Sequence, residues 1–200
     1  MKYEIEVLEV KTAYDGFLGL KQFRFRHSLF AGGMSPPILR ERIESYRAAS
    51  VILYDPILDQ VVLIEQFRIA GLEDNQGAWT LEIVGGVIDN DEAPEQVARR
   101  EAREEADCEI GELEFICEFL VSPGYSTERI HLFCGQVDSS VAGGIHGVRQ
   151  EGEDIRVSVL PVQELMKELY HGRVNSTSTI IATQWLAANR ERLQNQWRPD

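Results

Sequence analysis

Gly86-Val-Ile-Asp-Asn-Asp-Glu-Ala-Pro-Glu-Gln-Val-Ala-Arg-Arg-Glu-Ala-Arg-Glu-Glu-Ala-Asp-Cys108 is the stretch whose reading decides this chain. A glycine pair, Gly85 and Gly86, closes an apolar run, a loop follows, and the remainder reads as a helix. Asp91 or Glu92 is expected to cap its start. Pro94 falls in the first turn, where its missing N–H costs little. On a wheel of about 100° per residue, Glu101, Glu104 and Glu105 share an arc of roughly 100°. Arg99, Arg100 and Arg103 fall mostly to the other side. Glu101 and Glu105 are like-charged neighbours, which destabilises a bare helix by a few tenths of a kcal/mol. Glu104 and Glu105 also crowd the end where the macrodipole disfavours anions. A divalent cation would turn these liabilities into a site, because hard Mg²⁺ takes carboxylate oxygens and keeps several waters. A solvated acidic face, with Arg100 paired to Glu104, accounts for the same residues, and periodicity alone leaves both readings open.

Composition narrows the classes. The 200 residues suffice for one substantial core and a modest accessory element. A formal charge of −13 argues against a nucleic-acid or anionic-membrane partner, which needs clustered Lys and Arg. Cys108, Cys117 and Cys134 are odd in number and form no C-x-x-C pair, so a zinc site or disulfide framework is not expected and a reducing, cytoplasmic setting fits. No apolar run approaches the roughly 18 residues of a membrane span, and the N-terminus lacks a basic region followed by an apolar core.

Residues 1–46 read as an N-terminal antiparallel β element. Ile5, Val7 and Val10 mark a first strand, and Tyr14-Asp-Gly-Phe17 is turn-like. Phe23 and Phe25 alternate with Arg24 and Arg26, the period of a sheet with one covered face. A third strand runs from Ile38 to Tyr46. Three such strands are marginal alone and are expected to lean on the main domain or on a second subunit. Residues 47–200 form that main domain. Ser50–Tyr54 is a strand, and Gln60–Phe67 is a continuous β-branched run expected to be central. Trp79–Val84 leads into the glycine pair, and Leu113–Val121 and Arg129–Val137 are paired strands. Ser139–Glu153 is a glycine-rich loop, Ile155–Leu160 a last strand, and a helix runs from Pro161 to about Tyr170. A final helix capped by Ser176 or Thr177 carries Ile180, Ile181, Gln184, Trp185 and Ala188 on one face, with Gln194–Asp200 expected to fray. Elements in this order predict an α/β class: an α/β/α sandwich around a mixed sheet.

The box beginning at Gly86 resembles that of the Nudix hydrolases. Gly86, Glu92, Arg100, Glu101, Glu104 and Glu105 stand at its spacings. Three positions depart: Ala102 replaces a larger aliphatic, Asp107 stands where the box has Gly, and Cys108 replaces the last aliphatic. Asp tolerates the positive φ of a helix exit better than most residues. None of the three removes a carboxylate. The resemblance implies the same sandwich and cleavage of a diphosphate.

That chemistry requires neutralised phosphate oxygens, a positioned water and a base. Carboxylates on a fixed helix can hold two or more Mg²⁺ ions, with Mn²⁺ as a substitute, typically about 3.5–4 Å apart. The Gly85 carbonyl offers one neutral oxygen. A base should be a carboxylate near the metals but free to move, which suits Glu151 or Glu153, although an exposed acidic loop explains them too.

Beyond the box, the chain is similar to bacterial ADP-ribose pyrophosphatases over nearly its whole length. Ser122-Pro-Gly124, Glu151-Gly-Glu-Asp-Ile-Arg-Val157 and Phe23-Arg-Phe-Arg-His27 carry that likeness. It implies Mg²⁺-dependent hydrolysis of ADP-ribose, a nucleoside diphosphate, to AMP and ribose 5-phosphate. It also implies a homodimer that exchanges its N-terminal strands. The Gly85 carbonyl, Glu101, Glu105 and Glu153 become metal ligands, Glu104 a further ligand or the holder of a metal-bound water, and Glu151 the base or the residue that orients the water. Glu92 and Arg100 buttress the box, Arg68 binds phosphate, Phe17 stacks on adenine, and Arg40 and Glu41 line the adenosine site. Packing in a core explains Phe17 equally well. A GDP-mannose or other nucleotide-sugar diphosphatase shares the chemistry. A non-catalytic ADP-ribose sensor is disfavoured because the box carboxylates are all present.

Overall fold

The structure, a computed structural model, describes residues 3–89, 92–148, 150, 152–172 and 174–197. The chain divides into two compact units, Met1–Arg47 with Leu120–Arg129, and Ala48–Phe119 with Ile130–Asp200.

The first unit is a three-stranded antiparallel sheet of β1 (Ile5–Asp15), β2 (Gly19–His27) and β3 (Ile38–Glu44), in that order. Phe23 and Phe25 are half-buried as their alternation predicts, and the Arg42 guanidinium lies 4.4 Å over the Phe23 ring. The segment after Leu120 joins this sheet through main-chain bonds: Ile43 N–H donates to the Tyr125 carbonyl at 2.7 Å and Thr127 N–H to the Ile43 carbonyl at 3.1 Å. Every residue of β1 is exposed, so Ile5, Val7 and Val10 find no cover within their own unit.

The second unit is built on an eight-stranded sheet. Its path runs β10 (Gly144–His146), β11 (Ile155–Pro161), β5 (Gln60–Phe67), β4 (Arg47–Asp55), β9 (Arg129–Gln136), β8 (Leu113–Leu120). Two short strands lie off this path: β6 (Trp79–Glu82) pairs with β5, and β7 (Val84–Val87) with β4. The run Val61–Ile64 of β5 is fully buried, because helices cover both faces. On one face α1 (Pro94–Ala106) sets Val97, Ala98 and Ala102 against Val51, Leu53 and Ile64. On the other, α2 (Val162–His171) and α3 (Thr177–Trp197) set Leu165, Leu186 and Leu193 against Ile52, Tyr54 and Leu63. This is the expected α/β/α sandwich around a mixed sheet. Among the described residues, no helix is long and apolar enough to cross a membrane.

Three local expectations change, and the stretch Trp79–Val84 resolves into the ends of two strands. It breaks at Ile83, whose N–H donates to the Thr179 hydroxyl at 3.1 Å rather than to a ladder partner. The chain thereby transfers from β5 to β4, which delivers the glycine pair to the sheet's middle. The buried face of α3 is Thr179, Ala182, Thr183, Leu186, Leu193 and Trp197; Gln184 and Ala188 are exposed. Threonines on the inner face and a half-buried Trp185 on its flank blur the helical period there. The C-terminal turn does not fray before Trp197: that side chain is buried, and Gln136 Nε2 donates to its carbonyl at 2.8 Å. The glycine-rich loop contains the short β10.

The ends of α1 also differ from expectation. Its N-cap is Ala93, whose N–H donates to Gln96 Oε1 at 3.2 Å, while Glu92 is drawn into an ion pair and Asp91 lies outside the described residues. Asp107 adopts φ 51° and ψ 36°, the left-handed exit foreseen where the box has Gly. Its N–H donates to the Arg103 carbonyl at 3.0 Å, and Cys108 N–H to the Ala102 carbonyl at 2.9 Å. A left-handed L-residue carries a cost, and an anion at this helix end adds to it. Asp107→Gly is therefore expected to raise unfolding free energy by about 0.5–1 kcal/mol, read as a shifted denaturation midpoint at constant slope. A lowered midpoint would mean that the Asp107 side chain repays its strain.

Candidate active site

Strand β7 and helix α1 form the site through two close approaches. Gly85 lies opposite Ser50, and a Cβ on it would stand 2.6 Å from Ser50 Oγ and 3.0 Å from the Ala49 carbonyl oxygen. A Cβ on Gly86 would overlap Oε1 and Cδ of Glu101 and lie 2.9 Å from its Cγ. The glycine pair therefore makes room, on one side for the neighbouring strand and on the other for a carboxylate of α1.

The helix face is only partly solvated. Arg100 and Glu104 do pair, at 2.9 Å, and Glu104 is exposed. Glu105 is buried, and the Glu101 side chain keeps only 12% exposure. Arg100 reaches all three outer carboxylates, donating also to Glu101 Oε1 at 2.7 Å and to Glu92 at 3.2 and 3.3 Å. Burial works against its charge, but Glu92, Glu101 and Glu104 hold it firmly protonated. Glu92 and Arg100 are thus brought together with the box. Arg99 and Arg103 turn elsewhere, Arg99 to the Ile110 and Gly111 carbonyls and Arg103 to Glu109.

Glu105 is the least compensated group. Its Oε2 accepts from Gly85 N–H at 2.9 Å, and among the described residues Oε1 has only Gln66 Nε2 at 3.5 Å. Burial pushes its pKa up to about 8 against the Gly85 hydrogen bond, with the nearby charges of Glu101 and Glu153 adding to the rise and Arg68 opposing it. Burial likewise raises Glu101, with Arg100 opposing and Glu104 and Glu153 adding. Glu101, Glu105, Glu153 and Arg68 therefore share one electrostatic neighbourhood.

Glu153 is presented by a folded-back loop. Val148 N–H donates to its Oε2 at 2.9 Å, and Gly147 N–H donates to the Glu104 carbonyl at 3.3 Å, tying the loop to α1. Gly147 has φ 98°, and a Cβ there would stand 2.8 Å from Glu153 Cβ. Glu151 lies outside the described residues.

Arg68, just past β5, donates Nε and Nη2 to Glu82 at 2.8–3.2 Å, and the Thr80 hydroxyl donates to the same carboxylate. Burial opposes its charge, while Glu82, then Glu105 and Glu153, favour it. Sequence reading missed Gln66, Thr80 and Glu82. The available signal was Glu82 itself, one acidic residue inside the otherwise apolar run Leu81-Glu-Ile-Val84.

A buried, protonation-prone carboxylate beside two more, with hard oxygen donors throughout, fits a hard divalent cation. In the arrangement shown, Arg100 engages Glu101 and Glu104. It takes one oxygen of each, Glu101 Oε1 and Glu104 Oε2. Among the described residues, no three acidic, His or Cys side chains converge in metal-holding geometry.

Phe17, Arg40 and Glu41 belong to the first unit and are all exposed. Phe17 is 83% exposed, its ring 5.7 Å from that of Tyr46, which rules out core packing within that unit. Arg40 turns back to the Leu39 carbonyl at 2.7 Å.

A family model described as the NUDIX domain matches residues 45–179. An "ADP-ribose pyrophosphatase" of Escherichia coli (strain K12) is 41% identical over 196 residues, covering 98% of this chain and 94% of that protein. A "GDP-mannose pyrophosphatase" of Citrobacter koseri is 32% identical over 191 residues, covering 93% and 96%. A solved structure described as an ADP compounds hydrolase superposes with a TM-score of 0.70 at 18% identity, covering 98% of this chain and 97% of that one; it shares the fold.

Proposed function

Because this chain belongs to the Nudix family, whose hydrolases require a divalent cation, we propose that it hydrolyses the diphosphate of ADP-ribose to AMP and ribose 5-phosphate. One observation carries the reading: the box carboxylate Glu105 is buried beside Arg68 and the half-buried Glu101 and Glu153, in a chain alike over nearly its full length to an ADP-ribose pyrophosphatase.

Glu101, Glu104, Glu105, Glu153 and the Gly85 carbonyl would hold two or more Mg²⁺ ions, for which Mn²⁺ would substitute. When bound, the cation would supply screening of the phosphate oxygens and a lowered pKa for water. Arg68 binds a non-bridging phosphate oxygen. Glu151 takes the proton from the attacking water. A new P–O bond forms as the anhydride P–O bond breaks, and the leaving phosphate keeps the electron pair. Gly86 keeps Glu101 against the strand, and Arg100 and Glu92 brace it from outside. Phe17 stacks on the adenine, with Arg40 and Glu41 along the adenosine. The uncovered apolar side chains of β1 support a homodimer in which a second copy covers them. Reduced cysteines support a cytoplasmic setting.

The lower-identity likeness to GDP-mannose pyrophosphatases keeps a guanine substrate as the alternative. ADP-ribose, GDP-mannose and NADH are each incubated with the protein, with and without Mg²⁺, and the products identified. Mg²⁺-dependent release of AMP from ADP-ribose, at the highest kcat/KM of the three, is the expected result. Preference for GDP-mannose overturns the substrate, and tight ADP-ribose binding without turnover of any compound overturns the enzyme.

A further inference from the structure

We infer that Glu82 is a positioning residue that acts through Arg68, locking its guanidinium edge-on so that the opposite edge meets the substrate's phosphate. This rests on the reading of Arg68 as the phosphate contact. A guanidinium offers five N–H donors along two forked edges. Glu82 occupies the edge formed by Nε and Nη2, at 3.1, 3.2 and 2.8 Å. Nη1 has no partner among the described residues, and the Arg68 side chain keeps 47% exposure against 12% for Glu82. The carboxylate is the buried anchor and the free edge is the exposed part.

The anchor is itself fixed. Thr80 and Glu82 lie on the same face of β6, two residues apart, and the threonine hydroxyl donates to Glu82 Oε1. The backbone of Arg68 is pinned by its N–H to the Ala78 carbonyl at 2.7 Å, so both ends of the side chain are tied to one hairpin. A half-exposed ion pair is worth little as stabilisation. Its value lies in order: a long side chain held in one rotamer loses less entropy when it takes up a phosphate. The same geometry answers a local hazard. Glu105 and Glu153 both attract the Arg68 charge, and an untethered guanidinium would collapse onto them and cover the donors meant for a cation.

The test is a double-mutant cycle on the full-length protein. Glu82→Gln alone is expected to lower kcat/KM for ADP-ribose by about 10–100-fold, and Thr80→Val by a smaller factor in the same direction. In an Arg68→Ala background, Glu82→Gln is expected to cost less than about 3-fold, because there is nothing left to position. A residue that only supported the fold would cost the same in both backgrounds, and equal losses overturn the inference. Calorimetric binding of ADP-ribose in EDTA supplies a readout without turnover: Arg68→Ala and Glu82→Gln are each expected to weaken it, non-additively. A wild-type protein that binds ADP-ribose in this coupled way but cleaves nothing sinks the hydrolase reading and keeps this one. Binding indifferent to both substitutions, or absent from the wild type, overturns the role of Glu82. If Glu82→Gln fails to fold, Thr80→Val carries the cycle with the same criterion.

Discussion

Glu105→Gln is expected to lower Mg²⁺-dependent turnover of ADP-ribose by at least about 10²–10³-fold while making the metal-free protein more stable. The two effects have one cause. Glu105 is almost fully buried, with one good hydrogen bond, one weak contact and two anionic neighbours. Its pKa rises from 4.5 to about 8, so the folded metal-free state binds this proton more tightly than the unfolded chain does. A raised carboxylate pKa makes stability fall with pH between those two values and level off above the higher one. Glutamine keeps the shape and the Gly85 hydrogen bond but has no charge to desolvate. Denaturation in EDTA at about pH 5 and about pH 8.5 should show a decline for the wild type that the variant lacks. Added Mg²⁺ should raise the wild-type midpoint at the higher pH, and the variant's much less. Near-normal turnover in Glu105→Gln would remove this residue from the catalytic centre. An unchanged pH decline would mean that the strain resides elsewhere.

Gly86→Ala is expected to leave the protein folded and to cost about 10²-fold or more in turnover. The three atoms nearest the added methyl all belong to the Glu101 side chain, so the carboxylate gives way before the strand does. A displaced Glu101 changes a donor position by about the width of a methyl group, enough to lose alignment. The neighbouring position should behave oppositely. A methyl at Gly85 meets Ser50 Oγ and the Ala49 carbonyl, so Gly85→Ala strains the β4–β7 pairing and lowers stability first. Circular dichroism and a thermal midpoint, measured beside kcat, separate the two. A fully active Gly86→Ala, or one that unfolds while Gly85→Ala does not, would contradict the geometry.

The box was legible because its spacings survive without any knowledge of the fold. Helical period put Glu101, Glu104 and Glu105 on one arc, and the resemblance to the Nudix box added Gly86 to them. Gln60–Phe67 was legible as a central strand, because only a sheet covered on both faces tolerates an unbroken β-branched run. Less was legible in α3, where buried Thr179 and Thr183 carry no apolar signal, and a half-buried Trp185 falls off the inner face. The end of that helix was misread for the same reason: Trp197 looks like a polar tail's last aromatic until its bond to Gln136 is seen.

By itself, the sequence determined the class of fold and the helix that bears the carboxylates, since period, charge and turn chemistry are local properties. Tertiary structure alone decided that Glu105 is buried and Glu101 half-buried while Glu104 is exposed, that Arg100 also holds Glu92 and Glu101, and that Glu82 ties Arg68. Ion pairing and desolvation depend on which side chains meet across strands distant in sequence, and Ile83 choosing Thr179 over a ladder partner is what brings those strands into register.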